Sequence, residues 1–180
     1  LDSGEYFNRF AREASEWTFS HLEARHLEHL RALPVGPLEL EPGVLICHGS
    51  PVDEDAYIFS GYDAQLAFEA APHGLIFFGH THVPSLFTLI PDPRGPHLEV
   101  RLLAGRRDTI DLDPRCRYLL NPGSVGQPRD RDPRAAYALY DSDRRRVHVY
   151  RVDYRADVAR GRILNAGLPA VLGDRLLYGA

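Results

Sequence analysis

Leu75-Ile76-Phe77-Phe78, bounded by Gly74 and Gly79, constrains the fold more than any other stretch. A strand apolar at every position has to be covered on both faces, as in a sheet held between layers. This run leads into Gly79-His80-Thr81-His82, closed off by Val83-Pro84. Histidines at the end of a buried strand stand where layered α/β proteins hold their ligands. In extended backbone, residues i and i+2 project to the same side, so His80 and His82 are expected to point at one centre. Imidazole is the commonest protein ligand for transition metals. Taken alone, the pair reads equally as half of a metal site or as two solvated loop histidines.

An earlier stretch repeats the pattern. Val44-Leu45-Ile46-Cys47-His48 is a second apolar strand running into Gly49-Ser50-Pro51. Alternation puts Cys47 on the face opposite His48, which makes Cys47 core and His48 a ligand candidate. Asp53, Glu54 and Asp55 follow in a loop and read as solvated or capping acids. Tyr62 to Ala71 has helical character and stops at Pro72. Strand–helix–strand connections make the strands parallel, so His48 and the His80/His82 pair are expected at the same sheet edge.

Ahead of this unit, Phe7, Phe10, Ala11, Ala14, Trp17 and Thr18, then Leu22, Leu27, Leu30 and Leu33, recur at three- and four-residue spacing. Two amphipathic helices fit, broken near Ser20-His21, with Asn8 and Ser20 as N-caps and Pro34 as the stop. Leu1 to Gly4 is a ragged start. His26 and His29 share a helical face with no third ligand type nearby, so they are assigned to solvent or packing. Pro37 to Leu40 reads as an edge strand, turned by Pro42-Gly43.

The second half changes character. Leu86–Ile90, Leu98–Leu103, Thr109–Leu112, Arg117–Leu120, Ala136–Tyr140 and Arg146–Val152 are short strand candidates separated by tight turn signals. Hairpins follow from that spacing, and with them an antiparallel second sheet. Asn121-Pro122-Gly123-Ser124-Val125-Gly126-Gln127-Pro128-Arg129 is a rigid turn whose N–H groups either face an anion or simply end a strand. Arg129 is the one arginine of this region kept as a weak substrate-binding candidate. Ala156–Ala166 and Pro169–Leu177 close the chain as helices.

Composition narrows the functional classes. The 180 residues carry a net charge of −4, so there is no basic footprint for nucleic acid. All 21 cationic residues are arginine, which excludes Schiff-base chemistry and a phosphate-loop lysine. No apolar run approaches membrane-spanning length, and no signal-peptide core opens the chain. Two cysteines, Cys47 and Cys116, suit a reducing cytoplasmic setting. Methionine is absent and the first residue is Leu1, from which an internal fragment or truncated reading frame is expected.

His48-Gly49-Ser50-Pro51, Gly79-His80-Thr81-His82-Val83-Pro84 and Asn121 to Arg129, in this order and spacing, resemble the last motifs of calcineurin-like metallophosphoesterases. The closest branch is the small prokaryotic one, of phosphodiesterase or diadenosine-tetraphosphatase-like type. The likeness runs from the Trp17 helices to the Gly167-Leu168-Pro169 tail. It implies an α+β fold, a four-layer α/β/β/α sandwich truncated at its N-terminus, with residues 1–180 forming the C-terminal part of a single domain. It also implies two divalent metal ions (Mn, Fe, Ni, Zn or Mg), with His48 and His80 on one and His82 on the other.

The family's upstream Asp-x-His, Gly-Asp and Gly-Asn-His-Asp/Glu motifs do not occur in these residues. The bridging aspartate and the histidine that assists the leaving group are therefore missing, and no catalytic acid is assigned. The expected activity is metal-dependent phosphoric ester hydrolysis, with a small phosphoester such as a nucleotide as substrate. Two cations about 3.5–4 Å apart would shield the phosphoester's charge and acidify water at neutral pH. The fragment alone would be inactive, its parent being the enzyme. The alternative is a non-catalytic binding or interaction module on the same fold. Other His-x-His hydrolases fit less well: a metallo-β-lactamase-type site needs an acid where Pro84 stands, and no eightfold strand–helix series supports an amidohydrolase barrel.

Overall fold

A computed structural model describes residues 8–180; the ragged start and the Phe7 position of the first helical stripe lie outside them. The chain divides into two compact units. One comprises the residues up to Val35 with Arg155–Leu177, the other Gly36–Tyr154 with Tyr178–Ala180.

The first unit opens with α1 (Arg9–His21) and α2 (Ala24–Ala32). Asn8 caps α1 as expected, its side chain accepting the Ala11 N–H at 2.9 Å. Ser20 does not open the second helix. Its hydroxyl instead donates back to Trp17 O at 2.8 Å, so α1 runs on through it, and α2 starts after Glu23 without a side-chain cap. The apolar spacing does form helices, yet no residue of either one is buried.

In the second unit, β1 (Leu38–Glu41) and β2 (Val44–Ile46) form an antiparallel pair. Helix α3 (Gly61–Ala70) follows, started by a capping box in which Ser60 and Asp63 satisfy each other's backbone N–H. Next come β3 (Leu75–Phe77), β4 (Ser85–Ile90), β5 (His97–Leu102), β6 (Arg107–Asp111), β7 (Arg117–Asn121), β8 (Ala135–Asp141) and β9 (Arg146–Val152). Strands β2 and β3 are parallel, as the helical crossover requires, with Val44 opposite Leu75.

The strands after β3 are divided differently from the expectation. Only β6, β9 and β8 build a second, antiparallel sheet, in that order. Strands β7, β4 and β5 extend the first into a six-stranded sheet, β1-β2-β3-β7-β4-β5. β7 joins parallel to β3 and carries β4 antiparallel on its other side. Hairpin spacing fixes which neighbours pair but not which sheet a hairpin joins.

Both faces of β3 are covered, as its sequence demands. Leu75 lies with Val44 and Leu120 against Ile110, Val147 and Val149 of the second sheet. Ile76 lies with Leu45 and Leu119 against Ala64, Ala67 and Phe68 of α3. Helix, sheet and sheet thus stack within Gly36–Tyr154, three of the four expected layers, in a mixed α+β fold. The chain closes with α4 (Ala156–Asn165) and α5 (Ala170–Tyr178), joined by an ion pair from Arg160 to Asp174 at 2.6 Å. No helix among the described residues is long and apolar enough to cross a membrane.

Candidate metal centre

The parallel register of β2 and β3 places His48 and His80 side by side just beyond the strand ends. His48 Nε2 and His80 Nδ1 stand 3.0 Å apart, with the rings edge-on at 67°. Two nitrogens at about 2.0–2.1 Å from one ion, bound roughly at right angles, are themselves about 3 Å apart. The spacing fits a shared cation as well as an N–H···N hydrogen bond.

His82 is oriented by a different contact. Its Nδ1 lies 2.7 Å from Gln127 O, and a carbonyl can only accept, so Nδ1 carries the proton and the Nε2 lone pair stays free. Metal-binding histidines are commonly oriented in this way. His82 is close enough to His80 and His48 to feel both charges. Even so, no group of three or more His, Cys, Asp or Glu side chains converges to metal-holding distance among the described residues.

Extended geometry does not bring the histidines together. His80 and His82 both have left-handed backbone, with φ of 61° and 60°. Between them Thr81 N–H donates to Gly79 O at 2.7 Å, closing a tight turn centred on His80. Such conformations cost side-chain-bearing residues about 1–3 kcal/mol each and persist only where their surroundings hold them. Asn121, fully buried at the end of β7, supplies that hold. Its Nδ2 donates to Gly79 O at 2.7 Å and to Thr81 Oγ1 at 2.9 Å, while Oδ1 accepts the Gly123 N–H at 2.8 Å. Arg129 N–H adds a bond to His82 O at 3.3 Å.

Glycines let the loops approach. A Cβ on Gly49 would press on Glu54 O and stand 2.6 Å from Ala56 O. Gly123, at φ +94°, would put one 2.5 Å from Pro84 Cγ. Gly49→Ala is therefore expected to cost about 1–3 kcal/mol through displaced backbone, read as a lower urea midpoint. An unchanged midpoint would show that the loop after β2 is looser than it looks.

Burial, and secondly the His48 charge, push the His80 pKa down against the opposing pull of Asp55. Burial likewise lowers that of His82, partly offset by Gln127. Both shifts favour the neutral imidazole, the form that binds cations. Cys47 packs against the α3 side of the sheet, as expected, and burial raises its thiol to about 11, which keeps it out of ligand chemistry. Asp53, Glu54 and Asp55 are exposed.

The Asn121–Arg129 turn is less open to anions than its composition suggests. Besides the Gly123 N–H held by Asn121, Ser124 Oγ accepts the N–H groups of Gly126 and Gln127 at 3.3 and 2.9 Å. Arg129 is exposed and bonded to Gln127 Oε1 at 3.0 Å, and its charge reaches both His80 and His82.

Three site residues were not visible from sequence. Asn121 lies inside a motif read as a turn and as part of the family resemblance, with no role of its own assigned to it. Tyr57 lies with its ring centroid 4.0 Å from that of His80, and Phe59 stacks on Tyr57 at 5.3 Å. The Tyr-x-Phe spacing was a signal that could have pointed to a shared face.

Comparison with known proteins agrees with this architecture. The chain is 38% identical to a metallophosphoesterase from Sphaerobacter thermophilus, with a TM-score of 0.79 over 100% of this chain and 70% of that one. It is 32% identical over 183 residues to an uncharacterised protein of Methanocaldococcus jannaschii, covering 99% of this chain and 70% of that protein. A hypothetical protein from Pyrococcus horikoshii, 19% identical, shares the fold with a TM-score of 0.72 over 97% of this chain and 62% of its own. No family model matches. The chain belongs to the calcineurin-like metallophosphoesterase superfamily. Proteins of this family use divalent metal ions and act generally as phosphoesterases.

Proposed function

We propose that His48 and His80 hold one divalent cation, and His82 a second, in a centre that hydrolyses a small phosphoester. The observation carrying this reading is the 3.0 Å approach of His48 Nε2 to His80 Nδ1, beside a His82 whose Nε2 is left free by Gln127. When bound, the cations would supply Lewis acidity and a nucleophile at neutral pH. The chain's own part is to present neutral imidazoles on a loop fixed by Asn121, and a guanidinium, Arg129, close enough to meet an anionic substrate. Residues 8–180 bring no bridging carboxylate to the site, so the proposal pairs these histidines with acids from elsewhere in the protein. The two free cysteines suit the cytoplasmic location we assign.

Elemental analysis together with hydrolysis of bis-p-nitrophenyl phosphate in Mn²⁺, measured with the acid-bearing motifs present in the protein, tests the reading. Stoichiometric metal with turnover supports it. The absence of a three-ligand cluster among the described residues favours a second reading, a non-catalytic module on this fold, and protein without stoichiometric metal would establish that instead.

The Tyr57–Phe59 stack beside His80 supports a substrate with a planar group, such as a nucleotide. Phe59 is 61% exposed, so its outer face is free to stack. Stacking on an aromatic side chain contributes about 1–3 kcal/mol. Phe59→Ala is expected to raise KM for aryl or nucleotide esters by roughly fivefold or more, leaving alkyl phosphodiesters unaffected. Equal losses on both substrate types would argue against a stacking role.

A further inference from the structure

The six-stranded sheet ends on β5, whose outer side has no partner strand among the described residues. The opposite end is protected. Strand β1 is short, its register breaks between Glu39 and Glu41, and Glu41 is engaged by the Tyr140 hydroxyl at 3.0 Å. Short, bulged, charged edges resist strand addition. β5 has no such break: its register with β4 is continuous from His97–Ile90 to Leu102–Ser85.

The direction of its free groups can be worked out. Leu103 N–H donates to Pro84 O, one step beyond that register. Antiparallel ladders alternate, so Arg101, Glu99 and His97 turn their backbone groups toward β4, and Leu98, Val100 and Leu102 turn theirs outward. On the side chains, Val100 and Leu102 are 53% and 67% exposed. Among the described residues the Glu99 carboxylate reaches only His97 Nε2, at 3.6 Å. The Arg101 side chain has no ion pair or hydrogen bond among the described residues.

We propose that two copies of this chain pair through β5, antiparallel about a two-fold axis at Val100, which joins their six-stranded sheets into one. Opposed residues in an antiparallel pair share a face. In this register Val100 meets Val100 of the second copy and Leu98 meets Leu102, all with outward backbone groups that bond reciprocally. On the other face Glu99 meets Arg101 of the second copy, and Arg101 meets Glu99. The neighbouring two-fold registers fail on charge, because centring on Glu99 or on Arg101 sets like charges directly opposite. The strand is self-complementary in one register, which is what an isologous interface requires. The two charges without a strong partner in one copy become each other's partners in two.

Sedimentation equilibrium on the full chain, from low to high micromolar, reads the outcome, with circular dichroism checking the fold of each variant. The wild type should sediment with the mass of two chains. Glu99→Arg and Arg101→Glu should each lower the association constant at least tenfold. An equimolar mixture of the two variants should associate again, since each then carries the charge that the other lacks, and the double variant Glu99→Arg/Arg101→Glu should dimerise alone. A wild type that stays monomeric overturns the proposal. So does a dimer indifferent to the single changes, or variants that fail to pair on mixing.

Discussion

With the acid-bearing motifs present in the protein, His80→Ala is expected to abolish Mn²⁺-dependent hydrolysis of bis-p-nitrophenyl phosphate, with kcat/KM falling at least about a hundredfold. His80 is the point where the site's contacts meet. It faces His48 at 3.0 Å, packs on Tyr57 and forms the centre of the turn that aims His82. Removing its ring leaves His48, an exposed residue, as the only imidazole at that position, and a single monodentate ligand holds a divalent ion poorly. Metal content should fall with activity, by about one equivalent. His26→Ala, on the exposed helix α2, serves as the control and should change neither quantity. Near wild-type turnover in His80→Ala would remove the reason for placing the chemistry at this sheet edge.

The partnership of His48 with His80 was legible because it depends on local rules. Two apolar runs joined by one helix must lie parallel, and a parallel register brings their following residues together. The means by which His80 and His82 face the same region was not legible. Left-handed backbone at histidine has no compositional signature, since glycine is the residue that announces positive φ. The stabilising group, Asn121, is about forty residues away and acts through a side chain that fits turn chemistry equally well. The same holds for the Asn121–Arg129 turn: its N–H groups looked free for an anion until Asn121 and Ser124 proved to accept several of them. Sheet membership escaped for a related reason. β7 joins β3 through a pairing that no short-range hairpin signal encodes, and it takes β4 and β5 with it.

Asn121→Ala is expected to be the most damaging change away from the histidines themselves. The side chain is fully buried and makes three bonds, so truncation strands the Gly123 N–H and takes one of two donors each from Gly79 O and Thr81 Oγ1, which keep the Thr81 and Val83 N–H groups. The stranded Gly123 N–H costs about 1–3 kcal/mol and each lost donor bond about 0.5–1.5 kcal/mol, a total of roughly 3 kcal/mol. The loss does not stop at stability. With Gly79 and Thr81 released, His80 loses its hold from β7 and His82 keeps only its bonds to Gln127 and Arg129, so the left-handed turn relaxes and the imidazoles lose their common aim. Metal affinity should therefore drop about 10- to 100-fold, the range seen when groups that orient ligands are removed. Asn121→Asp separates the two roles, because it keeps an oxygen for Gly123 N–H but loses both donor bonds to Gly79 and Thr81. Calorimetric Mn²⁺ titration of the folded variants below their melting temperatures gives the answer. If Asn121→Asp binds metal as tightly as the wild type while losing stability, Asn121 is a packing residue only and the strained loop owes its shape to contacts other than these.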